Sequence, residues 1–243
     1  KIIYQWLEAK GFRPFLFQEE TWTHISSNKS GLVNAPTGCG KTYSVFLGTL
    51  IRYINLHPDD YLKRKNTGLQ LLWVTPLRAL AKDIGRAMDE VLNELQLPWK
   101  VGIRNGDTSM AERARQKKQM PEILIITPES LHLLLAQKGY PALFRSLAVI
   151  AVDEWHELLG SKRGVQVELA ISRLVHLHEN PTQRPMVWGI SATIGNLGEA
   201  GEVLLSPLQQ PCITVTADLS KKIKVESIYP DEIENSSDLG KEC

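Results

Sequence analysis

Short apolar runs alternate with longer amphipathic stretches along most of the chain, and this alternation restricts the fold more than any single residue does. Apolar, often β-branched runs stand at 69–74, 123–126, 147–152, 186–190 and 213–216, with further candidates at 32–35 and 100–104. Helix-length stretches lie between them at 41–54, 79–95, 110–118, 129–136 and 165–177. Strands that are apolar on both faces and separated by helices predict an α/β fold: a mostly parallel sheet with helices on both faces. Ligands of such sheets bind beyond the carboxyl ends of the strands, so chemical motifs should fall just after the apolar runs. The 243 residues suit one large domain of this kind, and 43% hydrophobic residues are enough for its core. No repeat of 20–50 residues is visible.

Charge and cysteine content remove several classes. A formal net charge of +1 excludes gripping a polyanion by bulk charge, so nucleic-acid binding would have to come from a local groove. Cys39, Cys212 and Cys243 form neither a metal-ligand spacing nor a disulfide framework, which fits reduced thiols in a cytoplasmic protein. No apolar run approaches the roughly 18 residues a membrane span needs, and no signal peptide is recognisable. The chain opens on Lys1 rather than Met and reads as a piece of something longer. The segment 57–68 (HPDDYLKRKNTG) is polar and reads as a mobile loop. Residues 1–217 read as one domain, and 218–243, polar and weakly patterned, as a linker leading onward.

Two motifs follow strands as the fold demands. Ala35-Pro36-Thr37-Gly38-Cys39-Gly40-Lys41-Thr42 lies between the 32–35 strand and the 41–54 helix. Backbone N–H groups and the dipole at a helix start favour phosphate there. Gly38 and Gly40 permit the tight turn, Lys41 reaches the β- and γ-phosphates, and the Thr42 hydroxyl is a Mg²⁺ ligand. The general pattern of such loops has Gly where this chain has Ala35. The second motif is Asp153-Glu154-Trp155-His156-Glu157, directly after the 147–152 strand. Asp153 is placed to hold Mg²⁺ through water and Glu154 to act as general base on an attacking water. Lys41, Asp153 and Glu154 are therefore the expected catalytic residues. Together the motifs read as a Mg²⁺-dependent NTPase.

The arrangement resembles superfamily 2 DExH-box helicases. Asp-Glu-x-His at 153–156 resembles their motif II, Ser191-Ala192-Thr193 their motif III, and the Ala-first loop is the form of their motif I. Arg13-Pro14-Phe15-Leu16-Phe17-Gln18 and Asp-Glu-Trp-His-Glu-Leu-Leu-Gly at 153–160 narrow the likeness to Lhr-like helicases, and within them to the bacterial ligase-associated DEXH-box group. It covers about residues 4–230 and rests on the order and spacing of short motifs.

The resemblance implies the first RecA-like P-loop domain of an ATP-dependent DNA helicase or translocase, moving 3′-to-5′ on single-stranded DNA in repair. ATP and Mg²⁺ are the implied cofactors. A second RecA-like domain of the same protein and a DNA ligase or nuclease are the implied partners. Gln18 is the adenine contact, with Phe15 and Phe17 either stacking on the base or belonging to the core. Pro36, Thr37, Gly38, Cys39 and Gly40 join it around the nucleotide. Thr75-Pro76-Leu77-Arg78 resembles motif Ia, Thr127-Pro128-Glu129-Ser130 motif Ib, and Arg104 with Gly106-Asp107-Thr108 a third contact loop. Pro76, Arg78, Arg104, Gly106, Thr127 and Ser130 are then nucleic-acid contacts, through hydroxyls, helix-start N–H groups and cations that hold phosphates without reading sequence. For Arg104 a solvated surface charge is an equal reading. His156, Ser191 and Thr193 couple the nucleotide to movement. The triplet Lys162-Arg163-Gly164 reads either as a contact or as solvated, and Trp22, Trp73 and Trp188 as packing residues.

Other classes stay open at this level. An RNA helicase of the DExH type would carry nearly the same first-domain motifs. A non-catalytic nucleic-acid-binding module of the same fold is disfavoured by intact Lys41, Thr42, Asp153 and Glu154. A P-loop kinase or transporter ATPase is disfavoured by Ser-Ala-Thr together with Asp-Glu-x-His.

Overall fold

The computed structural model describes residues 1–192 and 195–218. Two helices, α1 (Ile2–Ala9) and α2 (Leu16–Ser26), precede β1 (Gly31–Asn34) and α3 (Lys41–Leu56). Next come β2 (Leu71–Val74), α4 (Arg78–Glu94), β3 (Val101–Arg104), α5 (Met110–Lys118), β4 (Ile123–Ile126) and α6 (Pro128–Leu135). A short α7 (Tyr140–Leu143) leads to β5 (Val149–Val152), α8 (Trp155–Leu158) and α9 (Lys162–Val175). The series closes with β6 (Met186–Ser191), α10 (Leu197–Leu205) and β7 (Ile213–Thr216).

The strands form one seven-stranded sheet in the order β3-β4-β2-β5-β6-β1-β7, and all of its pairings are parallel. Its strands alternate their side chains between two cores, as period 2 requires. Val33, Leu71, Trp73, Ile123, Ile125, Val149, Ala151 and Trp188 face the core shared with α2, α3 and α4. Leu32, Leu72, Val74, Leu124, Ile126, Ile150, Val152 and Val187 face the core shared with α6, α9 and α10.

Helices follow from spacing and caps. On α4 the buried Ala81, Gly85, Met88 and Leu92 recur every three to four residues, while Lys82, Asp83, Arg86 and Glu90 face away. Ser109 caps α5 by accepting the Glu112 N–H, and Ser161 caps α9 by accepting the Gly164 N–H. In the 57–68 loop, Arg64 reaches Asp60 at 3.1 Å and Tyr61 packs on the core. Among the described residues no helix is long and apolar enough to cross a membrane.

The sheet's border at β7 is set by a missing side chain. Gly31 on β1 lies where a Cβ would run into Ile213 O on β7 and come within 2.9 Å of the Trp188 ring. Gly31→Ala should therefore lower stability by about 1–3 kcal/mol, the usual cost of forcing a methyl into a packed site. For a chain of this size that is a fall in Tm of several degrees, read by thermal unfolding.

Candidate nucleotide and nucleic-acid site

Parallel pairing brings every strand end to one edge, and all the motifs lie there. The edge divides between β2 and β5. On one side, the ends of β1, β6 and β5 carry the 35–42 loop, Ser191, and Asp153 with Glu154. On the other, the adjacent ends of β2, β4 and β3 carry the loops at 75–78, 127–130 and 105–108.

In the 35–42 loop Gly38 and Gly40 have φ of 77° and 78°, a left-handed geometry that glycine adopts without steric cost. Gly40 caps α3, so the Lys41 N–H opens the helix. Cys39 is buried and its thiol donates to Pro36 O. Lys41 is 8% exposed, and its buried Nζ has no hydrogen-bond partner. A buried ammonium left without a partner is costly, and phosphate oxygens at the loop would satisfy it. Thr42, at the first turn of α3, is half-buried.

Across β6, Asp153 is 6% exposed. Burial, then the neighbouring Glu154 carboxylate, pushes its pKa up to about 6, against hydrogen bonds from Trp73 Nε1 (3.4 Å) and the Glu154 N–H (3.1 Å) and the charge of Lys41. A carboxylate raised by burial beside a second carboxylate fits a divalent cation, which would relieve both. Glu154 has φ 49°, a strained value for a non-glycine residue, and turns the chain into α8. Its Oε2 lies 3.5 Å from His156 Nδ1, which lies 3.1 Å from Ser191 Oγ. Glu154, His156 and Ser191 are thus in one chain of contacts. Thr193 lies outside the described residues.

Gln18 is buried beside the loop. Its Oε1 accepts the Phe15 N–H (3.0 Å) and its Nε2 donates to Gly40 O (3.0 Å), so the amide ties α2 to the loop. One N–H and one lone pair of the amide remain for a ligand. A Cβ at position 40 would come within 2.9 Å of that Nε2. Next to it opens a cavity of about 270 Å³ lined by Arg13, Phe15, Gln18, Gly40 and Tyr43 among others. The two phenylalanines divide: Phe17 is a core residue at 3% exposed, while Phe15, stacked on it at 5.9 Å, is 43% exposed and lines the cavity. A larger cleft of about 750 Å³, lined by Arg52, Arg145 and Arg184, lies at the strand starts and touches none of the motifs.

On the other half, Arg78 is exposed over Gly106, where a Cβ would lie 3.1 Å from its guanidinium, and Nη1 is 3.9 Å from Asp107. Thr127 and Ser130 are buried and share a hydrogen bond of 3.2 Å between their hydroxyls; Pro76 is also buried. Arg104 corrects the surface-charge reading. It is 3% exposed with Nη1 unpartnered, and burial, then Arg113, lowers its pKa.

The DEAD/DEAH box helicase family matches residues 15–200. The chain belongs to that family. It is 33% identical to the Lhr helicase/probable uracil glycosylase of Mycolicibacterium smegmatis over 97% of its length, and 36% identical to the ATP-dependent helicase Lhr-Core of Saccharolobus solfataricus over 85%. It covers only 16% and 24% of those proteins. The solved structure of Mycobacterium smegmatis helicase Lhr bound to ssDNA and AMP-PNP superposes with a TM-score of 0.73 at 31% identity, over 89% of this chain and 28% of that one. The sheet is accordingly that of a RecA-like helicase domain.

Three residues of this helicase domain escape a sequence reading. Trp73 looks like core and is fully buried, yet its indole N–H reaches Asp153. Arg113 holds the 105–108 loop through Thr108 O and Asn105 O, both at 2.9 Å. Arg163 is neither free nor merely solvated: it bonds Pro76 O at 2.8 Å and lies 2.7 Å from Glu129. Only the basic run at 162–163 gave a sequence signal for any of them.

The raised Asp153 pKa fixes a pH dependence. The folded carboxyl holds its proton more tightly than the unfolded one, so without ligand stability falls as pH rises from about 4 through about 6. Asp153→Asn escapes this loss. It should be more stable than the parent at pH 7.5 by up to about 3 kcal/mol, at about 1.4 kcal/mol per pH unit, and so melt at a higher temperature, with the gap closing towards pH 4. Ligand-free thermal melts across that range check it.

Proposed function

We propose that residues 1–217 are the first of two RecA-like motor domains of an ATP-dependent DNA helicase or translocase. The observation that carries this reading is the division of one sheet edge. A buried, unpartnered Lys41 ammonium faces phosphate chemistry on one half, and three adjacent loops suited to a sugar-phosphate backbone lie on the other. The relatives' names, and the ssDNA and AMP-PNP bound by the Lhr structure, support the same reading.

Gln18 holds the adenine edge, with Phe15 as the stacking face, and residues 36–40 wrap the phosphates. Lys41 binds the β- and γ-phosphates, and Glu154 takes the proton of the attacking water. Thr42 and Asp153 would hold Mg²⁺, which would supply positive charge against those phosphates. Pro76, Arg78, Gly106, Thr127 and Ser130 hold one strand. His156, Ser191 and Thr193 relay the state of the nucleotide. Arg104 belongs to the support of that strand surface rather than to its exposed face. A second RecA-like domain would supply arginines worth about 10³–10⁵ in rate, so full turnover needs both domains. The linker expected over 218–243 lies, from 219 onward, outside the described residues. Polarity 3′-to-5′, a repair role and a ligase or nuclease partner rest on the ligase-associated resemblance, and a cytoplasmic setting on the cysteine pattern.

In the full-length protein, Lys41→Ala should abolish nucleotide binding. Glu154→Gln should keep binding within a few-fold and lower kcat by about 10²-fold or more. Unchanged turnover in Glu154→Gln removes it from the base role. Stimulation of the ATPase by single-stranded DNA above that by RNA of equal length supports the DNA reading, and the reverse order supports an RNA helicase.

A further inference from the structure

Arg163 lies beyond the acidic motif, in the first turn of α9, but its side chain belongs to the other half of the edge. Nη2 donates to Pro76 O at 2.8 Å, in the loop after β2. Nε lies 2.7 Å from Glu129 Oε1, in the first turn of α6 after β4; its N–H is poorly aligned on that oxygen, so charge carries the contact. Glu129 is a fitting anchor. Burial pushes its pKa up, but the backbone N–H at the start of α6 and Arg163 outweigh that and leave it lowered.

The backbone beneath Arg163 is tightly held. Ser161 Oγ donates to Leu158 O at 2.6 Å and accepts the Gly164 N–H at 3.1 Å. A Cβ at Gly164 would run into Leu158 O, so the turn from α8 into α9 closes only on glycine. Arg163 is thereby fixed ten residues past Asp153, on the segment that leaves the hydrolytic strand.

We propose that Arg163 is a positioning residue that clamps the 75–78 loop to the start of α6, fixing the spacing of the two loops that hold the strand. It does so without touching the strand itself. The inference rests on the reading of those loops as the strand surface. The contacts use two nitrogens of one planar fork, which a lysine, with a single nitrogen, cannot reproduce.

The test uses the full-length helicase and fluorescently labelled single-stranded DNA across a range of salt. Arg163→Ala should raise the strand Kd, and the strand concentration for half-maximal ATPase, on the order of tenfold. The KM for ATP without strand and the slope of log Kd against log salt should stay as in the parent. Arg163→Lys should fall between the two. Glu129→Ala should weaken the strand in the same way, and the double variant should be no worse than Arg163→Ala. A salt slope smaller by about one, with Lys restoring affinity, would make Arg163 a direct phosphate contact and overturn the clamp. Unchanged strand affinity, or fully additive effects with Glu129→Ala, would overturn it too. A parent protein that neither binds nor is stimulated by a strand instead removes the underlying reading of the loops.

Discussion

In a parallel sheet every strand ends on the same side, and this geometric fact carries the rest of the molecule. Residues far apart in sequence, such as Lys41, Asp153 and Ser191, meet because β1, β6 and β5 are hydrogen-bonded in register. No ion pair joins the ammonium of Lys41 and the carboxylate of Asp153 among the described residues, although the charge of Lys41 bears on Asp153. Each stays under-satisfied in a buried place, which is costly to stability and suits a ligand that bears both phosphates and a cation.

The electrostatic design is thus one of withheld partners. Asp153 receives only an indole N–H and a backbone N–H, weak compensation for burial beside Glu154. Glu154 in turn sits in a left-handed conformation that a residue of its kind adopts at a cost, and its carboxylate is turned towards His156. Strain at Glu154 and burial of Asp153 thus fall side by side at the carboxyl end of β5, while the two faces of the sheet are filled with apolar packing, aliphatic and aromatic.

Much of this was legible in the sequence. Strand positions followed from runs apolar on both faces, which only a doubly covered parallel sheet accepts, and the motifs fell after strands as that sheet requires. The N-terminal helix α2 was not legible by period, because Gln18, Thr21 and Trp22 bury polar and aromatic groups together on a helix with little amphipathic contrast. The surface-charge reading of Arg104 fails for a related reason. An arginine at a strand end usually reaches water, and nothing local reveals that the Arg113 side chain and the loop after β3 close over that region. Trp73 is the complementary case: a tryptophan inside an apolar run reads as packing, and its indole N–H finds its acceptor only through the β2–β5 pairing, 80 residues away.

The seam between β2 and β5 has a mechanical meaning. The two halves of the edge are joined there by a four-residue parallel ladder, by the indole of Trp73 and by the fork of Arg163. If the loops after β2, β4 and β3 hold a strand as proposed, tension on it would reach the other half of the edge through that seam, in shear along the parallel ladder. A stiff seam passes displacement from one half to the other, and a soft one would absorb it as heat. On the proposed reading, the stiffness of this single line would bear on how much of each hydrolysis becomes motion.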